Sequence, residues 1–294
     1  MKRELSILIP TYNHRCLSLV RELARQASRA EGLSWEVIVA EDGSTDKQAL
    51  ADNSRVSLLP RCRQVILPHN IGRAAIRNHL AKLARYSTLL FIDSDMDVSL
   101  DDYLSRFLST NGEVVYGGYR VSERVTPCLR SRYERAASPS RALSRRLQRP
   151  YHALRACNLM VSRELMLHLP FDERFSRYGF EDTMLGKTLM RHHVPVCHID
   201  APVDFDCRES DLDFMEKTEE ALRTLHRFED ELADMSSLLA LTLELDRLHV
   251  SRIFRFSHRH LGKAVRHALI SKRPPLWLFQ LYKLGYLMSI RRHP

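Results

Sequence analysis

Three aspartates spaced two residues apart, Asp93, Asp95 and Asp97, follow the apolar run at residues 89–92. Carboxylates this close repel one another unless a cation lies between them. Mg²⁺ and Mn²⁺ take oxygen ligands and commonly bind one or two carboxylates together with substrate phosphates. A metal site is therefore one interpretation of this segment. The other is a tight turn or a helix N-cap, in which the carboxylates bind backbone amides.

The elements that position these carboxylates are predicted by apolar runs that alternate with helical patterns over the first hundred residues. Strands that alternate with helices indicate β-α-β units and a parallel sheet. Continuous apolar runs are typical of strands covered on both faces. The predicted strands are 5–9, 35–40, 64–67 and 88–92, and the predicted helices are 16–29, 46–52 and 71–85.

Polar segments follow each of these four strands, at residues 10–13, 41–44, 69–73 and 93–95. In open parallel sheets, ligands bind beyond the carboxyl ends of the strands. We therefore expect the four segments to form one site at that edge of the sheet.

The pattern changes after residue 113. "VVYGGY" at 114–119 predicts a strand with a Gly-Gly kink, and the arginine-rich stretch 120–155 predicts a mobile loop with helical pieces. "VPVCHID" at 194–200 predicts a last strand, and the periodicity from residue 212 onward is helical. The sequence thus predicts an α/β domain at 1–210 and a helical, basic amphipathic extension at 211–294.

The composition is that of a globular protein, with 44% hydrophobic and 28% charged residues in a chain of 294. No apolar run is long enough to span a bilayer, and the N-terminus lacks the pattern of a signal peptide. Six cysteines are scattered without a C-x-x-C pair. This arrangement favours reduced cytosolic thiols over a disulfide framework or a zinc site.

The positive charge is concentrated in the tail. Residues 247–294 contain eleven Lys and Arg and no acid, while the net charge of the whole chain is +9, so residues 1–246 carry a net charge of −2. A basic amphipathic helix with Trp and Tyr is typical of binding to an anionic membrane surface. The alternative is a helix that packs on the catalytic domain with a solvated basic face. No groove-reading motif accompanies the charge, so we expect no nucleic-acid partner.

Five segments in order carry a resemblance to a known family: "SILIPTYN", "VIVAEDGSTD", "NIGRAAIRN", "FIDSD" and "GFEDTMLGKTL". Together they resemble the nucleotide-sugar-dependent family-2 glycosyltransferases, and they extend over residues 5–200. The resemblance implies an inverting enzyme with the GT-A fold, a Rossmann-like α/β architecture with a mostly parallel central sheet and flanking helices. Here the helical extension would follow that fold.

The resemblance implies a donor site in which Thr11 and Tyr12 line the pocket for the nucleotide base. Asp42 would contact the base or the ribose. Arg73 and Arg77 would approach the base or the phosphates, because guanidinium groups bind phosphate well. The complete implied set of donor-binding residues is Pro10, Thr11, Tyr12, Asp42, Arg73, Arg77 and Asp93.

The resemblance also implies a metal ion and a general base. Asp95 would bind Mn²⁺ or Mg²⁺ directly and Asp93 would face the ribose or the metal, since a divalent ion stabilises the leaving diphosphate. A carboxylate must take the proton of the attacking hydroxyl, and we favour Asp182 over Glu181 for this role. The alternative for this acidic pair, taken without the resemblance, is that it only stabilises the positive N-terminal end of a helix.

One position departs from the family pattern. Many relatives place a histidine just after the last strand as a further metal ligand, whereas Phe205 stands there in this chain. Asp204 or Asp206 is a substitute oxygen ligand, and His198 lies earlier and is expected to pack. We expect Asp97 to be solvated or to cap the following turn.

The leading hypothesis is an inverting hexosyl- or N-acetylhexosaminyltransferase of polysaccharide biosynthesis. It would move the sugar of a nucleotide sugar, UDP by family frequency, to a hydroxyl of a glycan or lipid-linked acceptor. We expect a cytoplasmic protein, peripheral on the inner face of the cell membrane. The alternatives are a non-catalytic nucleotide-sugar-binding protein and an Asp-x-Asp phosphotransferase or phosphatase. The latter is disfavoured because its first aspartate should follow the first strand, not the fourth.

Overall fold

The computed structural model describes residues 2–207, 209–271 and 275–291. The chain divides into two compact units. The first contains Met1–Arg124, Ala137–Ser176 and Glu181–Asp206, and the second contains Val125–Ala136, Arg177–Phe180 and Cys207–Pro294. The sequence prediction placed one boundary at residue 210, whereas here two short segments from earlier in the chain group with the C-terminal helices.

The first unit contains the ten strands found in the described part of the chain. They are β1 (Glu4–Thr11), β2 (Ser34–Glu41), β3 (Cys62–Ile66), β4 (Thr88–Ile92), β5 (Met96–Asp97), β6 (Val114–Tyr116), β7 (Tyr119–Val121), β8 (Asn158–Ser162), β9 (Val196–His198) and β10 (Val203–Phe205). Seven form a sheet in the order β3-β2-β1-β4-β8-β6-β9, and three form a second sheet in the order β5-β10-β7.

The central sheet is mostly parallel. Strands β1, β2, β3 and β4 pair in parallel, as do β6 and β9, while β8 runs antiparallel to both β4 and β6. Every residue of β4 is buried, as expected for a strand covered on both faces. The predicted alternation of strands and helices over the first hundred residues is confirmed.

Helices of the first unit flank this sheet. They are α1 (Leu17–Arg29), α2 (Lys47–Ser54), α3 (Arg73–Leu83), α4 (Tyr103–Ser109), α6 (Leu143–Gln148), α7 (Pro150–Ala153), α8 (Arg163–His168) and α9 (Glu181–Arg191). One face of α3 joins the core, where Ile76 and Leu80 pack with Leu8 of β1 and Phe91 of β4. This burial holds α3, and the side chains at its first turns, against the carboxyl ends of the strands.

Three sequence predictions differ from the structure. The single strand predicted at 114–119 is two strands, β6 and β7, because Gly117 and Gly118 separate them into different sheets. The strand predicted as the last is β9, and it is followed by β10. The stretch 120–155, predicted as a loop with helical pieces, contains the end of β7, three short α-helices and the 3-10 helix Ser138–Arg141, and one of the α-helices belongs to the second unit.

The second unit is helical throughout its described residues. Its helices are α5 (Leu129–Ala136), α10 (Asp211–Arg227), α11 (Glu229–Leu232), α12 (Ser237–Arg247), α13 (Ser251–Ser271) and α14 (Leu276–Ile290). Its core joins Leu129 of α5, Met215 of α10, Leu269 of α13 and Phe279 of α14. The tail helices are therefore part of a packed bundle. Lys272, Arg273, Pro274 and Arg292, which contribute to the predicted basic tail, lie outside the described residues.

Two further observations concern predictions from composition. Within residues 2–207, 209–271 and 275–291, no helix has both the length and the apolar character needed to cross a membrane. The six cysteines are free thiols. Two of them, Cys128 and Cys207 of the second unit, have Sγ atoms 3.2 Å apart.

Candidate active site

Asp42, at the end of β2, fixes the start of α3. Its carboxylate accepts hydrogen bonds from the backbone amides of Ile71 at 2.7 Å and Gly72 at 3.2 Å. Burial raises the pKa of this carboxyl, and the two amide bonds oppose that rise. Gly43 has φ +68°, and a Cβ there would lie 2.3 Å from the backbone nitrogen of Asn70. The segments that follow β2 and β3 are therefore locked together. The predicted contact of Asp42 with a nucleotide stays a prediction.

Glu41, the residue before Asp42, is completely buried. Its carboxylate accepts hydrogen bonds from Ser44 at 2.6 Å, from Asn53 at 2.8 Å and from Gln64 at 3.1 Å. These three bonds compensate for the loss of water around the charge. Sequence reasoning did not assign Glu41 a role, and the structure shows that it holds the loop after β2 to α2 and β3.

The residues after β1 differ in accessibility. Thr11 is buried and its hydroxyl donates to the backbone oxygen of His14 at 3.0 Å, while Pro10 is half-buried. The side chain of Tyr12 is 52% exposed, so its ring has a face available for stacking. Asn13 has φ +54° and its side-chain oxygen accepts two backbone amide hydrogen bonds from the 44–46 turn. A tight turn therefore presents Tyr12 at the sheet edge.

Arg77 of α3 connects two of the acidic segments. Its Nη2 donates to Asp93 at 2.6 Å, and its Nη1 lies 3.4 Å from Glu181. Arg73, one turn earlier, lies 3.7 Å from the same Glu181 oxygen. Burial alone would lower the pKa of Arg77, but the carboxylates of Asp93, Asp182 and Glu181 raise it. Arg77 is therefore held as a cation in a buried acidic site, where it pairs with Asp93.

Asp182 has a different environment from its neighbour Glu181. The pKa of Asp182 is raised to about 6. Burial and the charge of Glu181 raise it, and Arg77 and Arg155 partly oppose the rise. Its Oδ1 is buried and has no hydrogen-bond partner within the described residues. Glu181, in contrast, is engaged by two arginines. Of the two, Asp182 is the carboxylate with an oxygen that lacks a hydrogen-bond partner among the described residues, and its role as the base stays a prediction.

Arg155 is a site residue that sequence reasoning missed. Its guanidinium donates to the backbone oxygens of His152 and Leu154, at 3.3 and 2.6 Å, and its charge acts on Asp182. Its position in an arginine-rich stretch hid it, because composition does not distinguish one arginine from its neighbours. The only available signal was that it lies three residues before β8, which pairs with β4 in the sheet.

The segment opposite Asp95 is supplied by β10. Because β5 and β10 pair antiparallel with Phe205 opposite Met96, Asp206 comes opposite Asp95, and its backbone amide donates to the Asp95 carbonyl at 3.1 Å. Asp204 instead pairs with Arg120 at 2.6 Å. The structure therefore separates the two aspartates that the sequence left open, and Asp206 is the one next to Asp95. No group of three or more acidic, His or Cys side chains with metal-binding geometry occurs in the described chain.

The predicted residues fall into two groups. Arg73, Arg77, Asp93, Glu181 and Asp182 form one connected cluster at the carboxyl ends of the strands. Asp42 is tied to it through the start of α3, whereas Asn13, in the segment after β1, is hydrogen-bonded to the turn that follows β2. Asp97 is exposed, as expected. His198 packs against Tyr116 with ring centroids 5.5 Å apart, also as expected.

A mostly parallel α/β sheet with an acidic, arginine-containing site beyond its carboxyl ends defines the class of GT-A proteins. Residues 6–169 match the family described as Glycosyl transferase family 2, which is more than half of the chain. The chain therefore belongs to glycosyl transferase family 2, and the resemblance and the fold class inferred from the sequence are confirmed.

One curated relative is the dolichyl-phosphate beta-glucosyltransferase ALG5C of Trichomonas vaginalis, 28% identical over 128 residues, or 40% of the chain. The match spans 38% of that relative's length. Two solved structures have a similar fold. A mannosyltransferase from Pyrobaculum calidifontis, solved with GDP-Man and Mn²⁺, gives a TM-score of 0.57 at 16% identity over 96% of this chain and 85% of its own. A fragment of S. aureus TarS, solved with UDP, gives a TM-score of 0.52 at 17% identity, and the match covers 97% of this chain and 89% of the TarS fragment.

Proposed function

We propose that this protein is an inverting glycosyltransferase that moves a hexosyl or N-acetylhexosaminyl group from a nucleotide sugar to a hydroxyl group. The observation that carries the proposal is the buried, unpartnered Oδ1 of Asp182 next to a cluster of arginines and carboxylates. Membership of the family supports the reaction class. The names of the relatives support a donor of the nucleoside-diphosphate type and a lipid-linked or glycan acceptor.

Asp182 is proposed as the general base. Inversion requires the acceptor hydroxyl to attack the anomeric carbon from the side opposite the leaving diphosphate, and its proton goes to the Asp182 carboxylate. A positioned base contributes roughly 10²–10⁴-fold to a rate. Arg77 and Arg155 keep this carboxylate ionised against the effect of burial, so that it accepts a proton near neutral pH. Glu181 is proposed to orient Arg73 and Arg77, with which it forms ion pairs.

The donor is proposed to bind across the carboxyl ends of β1, β2 and β4. The exposed ring of Tyr12 is suited to stacking on the base. Arg73, whose side chain is 45% exposed, can reach a phosphate while Arg77 stays buried. UDP is the proposed nucleotide, and because one structural neighbour was solved with UDP and another with GDP-Man, both nucleotides belong in the test.

A divalent cation, Mn²⁺ or Mg²⁺, is the proposed cofactor. Asp95 and the adjacent Asp206 would hold it, because two carboxylates suit a hard cation that shares its remaining positions with a diphosphate. When bound, such an ion neutralises charge on the leaving diphosphate. Asp93 was also predicted as a ligand, but its pairing with Arg77 at 2.6 Å makes it the less suitable of the three.

The anionic inner surface of the cytoplasmic membrane is the proposed location, reached through α13 and α14. Ile253, Phe256, Leu261 and Trp277 are exposed apolar side chains on these helices, and Arg252 on α13 is exposed among them. Exposed apolar and basic side chains on one helix favour an interfacial position on anionic lipid. A protein at this location could reach a lipid-linked acceptor.

Transfer is tested by incubating the purified protein with UDP-glucose, UDP-N-acetylglucosamine and GDP-mannose, with Mn²⁺ or EDTA, and measuring release of the nucleoside diphosphate. We expect turnover of one donor and its loss in Asp182→Asn, with Asp97→Asn as the matched control. Donor binding in a thermal-shift assay without turnover of any donor would instead support the non-catalytic alternative. Full activity in EDTA would remove the metal from the proposal.

Membrane binding is tested separately by sedimentation with vesicles of phosphatidylcholine, with and without phosphatidylglycerol. We expect Ile253→Asp/Phe256→Asp to stay in the supernatant when the wild type sediments with anionic vesicles. Leu58→Asp, which changes an equally exposed apolar residue of the first unit, is the control. Equal sedimentation of all three proteins would contradict the proposal.

A further inference from the structure

A cleft of about 540 Å³ lies within the helical unit and is lined by residues of α10, α13 and α14. Clefts of roughly 300–1,000 Å³ are the usual size for small-molecule sites. Its charged wall consists of Arg255, Arg259, Lys263 and Arg266 together with Glu219, a net charge of +3 with the lining histidine neutral. The strands and carboxylates of the candidate active site take no part in this cleft.

Two of the four cations have no hydrogen-bond or ion-pair partner among the residues that the structure describes. Arg266 donates to Glu219 at 2.7 Å, so the single carboxylate of the cleft is already engaged, and Arg255 donates to Ser251 at 3.1 Å. Arg259 and Lys263 make no hydrogen bond or ion pair with any other residue that the structure describes, and both are exposed. An anion entering the cleft therefore meets two cations that nothing in the described chain neutralises.

His258 completes the wall between α13 and α14. A Cβ on Gly262 of α13 would lie 3.0 Å from its imidazole ring, and a Cβ on Gly285 of α14 would lie 3.2 Å from it, so the ring packs closely against both glycines. The ring centroid lies 5.2 Å from that of Tyr282. Its nitrogens form no hydrogen bond with another residue of the described ranges, which leaves them to a ligand or to water.

We propose that this cleft binds a phosphate monoester, carried either by a lipid headgroup or by a small soluble molecule. A phosphate monoester has close to two negative charges and three acceptor oxygens, which matches several converging cations better than a carboxylate does. Arginine and lysine are the side chains best suited to this group. The inference does not depend on sugar transfer, because it concerns the helical unit alone and is tested by binding.

The test is a calorimetric titration of the full-length protein with inorganic phosphate and with glycerol 3-phosphate, and flotation with phosphatidylcholine vesicles with and without phosphatidic acid. The variant is Arg259→Glu/Lys263→Glu, and the neutral Arg259→Gln/Lys263→Gln is a milder second variant. Arg247→Glu is the matched control, since it reverses an exposed charge of the same unit, on α12, that neither lines the cleft nor lies on the helices proposed to meet the membrane. Thermal unfolding checks that each variant is folded.

We expect the charge-reversed variant to lose about tenfold or more in phosphate affinity, and the neutral variant to lose less, while Arg247→Glu binds like the wild type. Binding of glycerol 3-phosphate identifies a soluble ester as sufficient. Binding only to vesicles that contain phosphatidic acid, and its loss in the cleft variants alone, identifies a lipid headgroup. Equal losses in the cleft variants and in Arg247→Glu would show nonspecific surface attraction and overturn the proposal. So would the absence of binding to every probe.

Discussion

Replacing Arg77 by methionine should destabilise the first unit by about 3 kcal/mol at pH 7. The side chain of Arg77 is 3% exposed, and it neutralises Asp93 at 2.6 Å and Glu181 at 3.4 Å. Removing one partner of a buried ion pair costs roughly 3–5 kcal/mol because a charge is left uncompensated. We expect the lower end, since Asp93 is 21% exposed and can be partly hydrated, and Glu181 keeps Arg73 at 3.7 Å.

The loss of stability in Arg77→Met should depend on pH, and the direction of that dependence follows from the pKa of the neighbouring carboxyl group. Without Arg77, which lowers the pKa of Asp182, that pKa rises further from its value of about 6 in the folded wild type, whereas the unfolded value is about 4. The folded variant then binds more protons than the unfolded chain as pH rises between these values, so its stability falls with increasing pH. The difference from the wild type should therefore be smaller at pH 5 than at pH 7.

The assay is urea unfolding followed by circular dichroism at both pH values. Arg106→Met is the matched control, because it breaks an ion pair with Asp102 at 2.9 Å in which both partners are substantially exposed. Such a pair contributes about 0–1 kcal/mol. A loss below about 1 kcal/mol in Arg77→Met, or a loss that is the same at pH 5 and pH 7, would refute the reasoning that Arg77 is the cation of the site.

Three further outcomes are expected. The rate of transfer, measured as nucleotide release, should rise with pH around 6 as Asp182 loses its proton. Asp182→Asn should lower kcat by about 10²–10⁴-fold and abolish this rise with pH, and an unchanged kcat would exclude Asp182 as the base. Asp206→Asn should raise the Mn²⁺ concentration for half-maximal activity or nucleotide binding by about tenfold, whereas Asp204→Asn should not; equal effects would contradict their different placement. Gly43→Ala should cost at least about 1–3 kcal/mol in chemical denaturation, since it adds strain at φ +68° and a Cβ 2.3 Å from backbone; no loss would show that this turn is not locked.

The first hundred residues were readable from the sequence because each strand is a continuous apolar run and each helix has an amphipathic face. Leu8 and Phe91 end up in one core for that reason. The second half was less readable. Strand β10 has three residues and β5 has two, too few for periodicity, and neither was predicted. Strand β8 runs antiparallel to both of its neighbours, β4 and β6, and composition does not reveal strand direction.

The general location of the site was predictable from the sequence, because it lies where the predicted strands end. Asp93, Glu181 and Asp182 meet because each lies at the end of an element that reaches the same edge of the sheet. The pairing of Asp93 with Arg77 was not predictable, since it depends on the rotation of α3 relative to β4. Likewise, the choice between Asp204 and Asp206 depends on the register of β10 against β5, which a three-residue strand does not encode locally.

The attachment of the Asp42 carboxylate to the start of α3 has a consequence for how the loop before this helix can vary. An α-helix turns by about 100° per residue, and Arg73 and Arg77 lie one turn apart on the same face. One residue inserted between Gly72 and Arg77 would turn Arg77 away from its carboxylates. An insertion before residue 69 would leave the helix phase intact, because the phase is set where Asp42 binds the amides of Ile71 and Gly72. Length variation among related chains should therefore be confined to the earlier part of this loop.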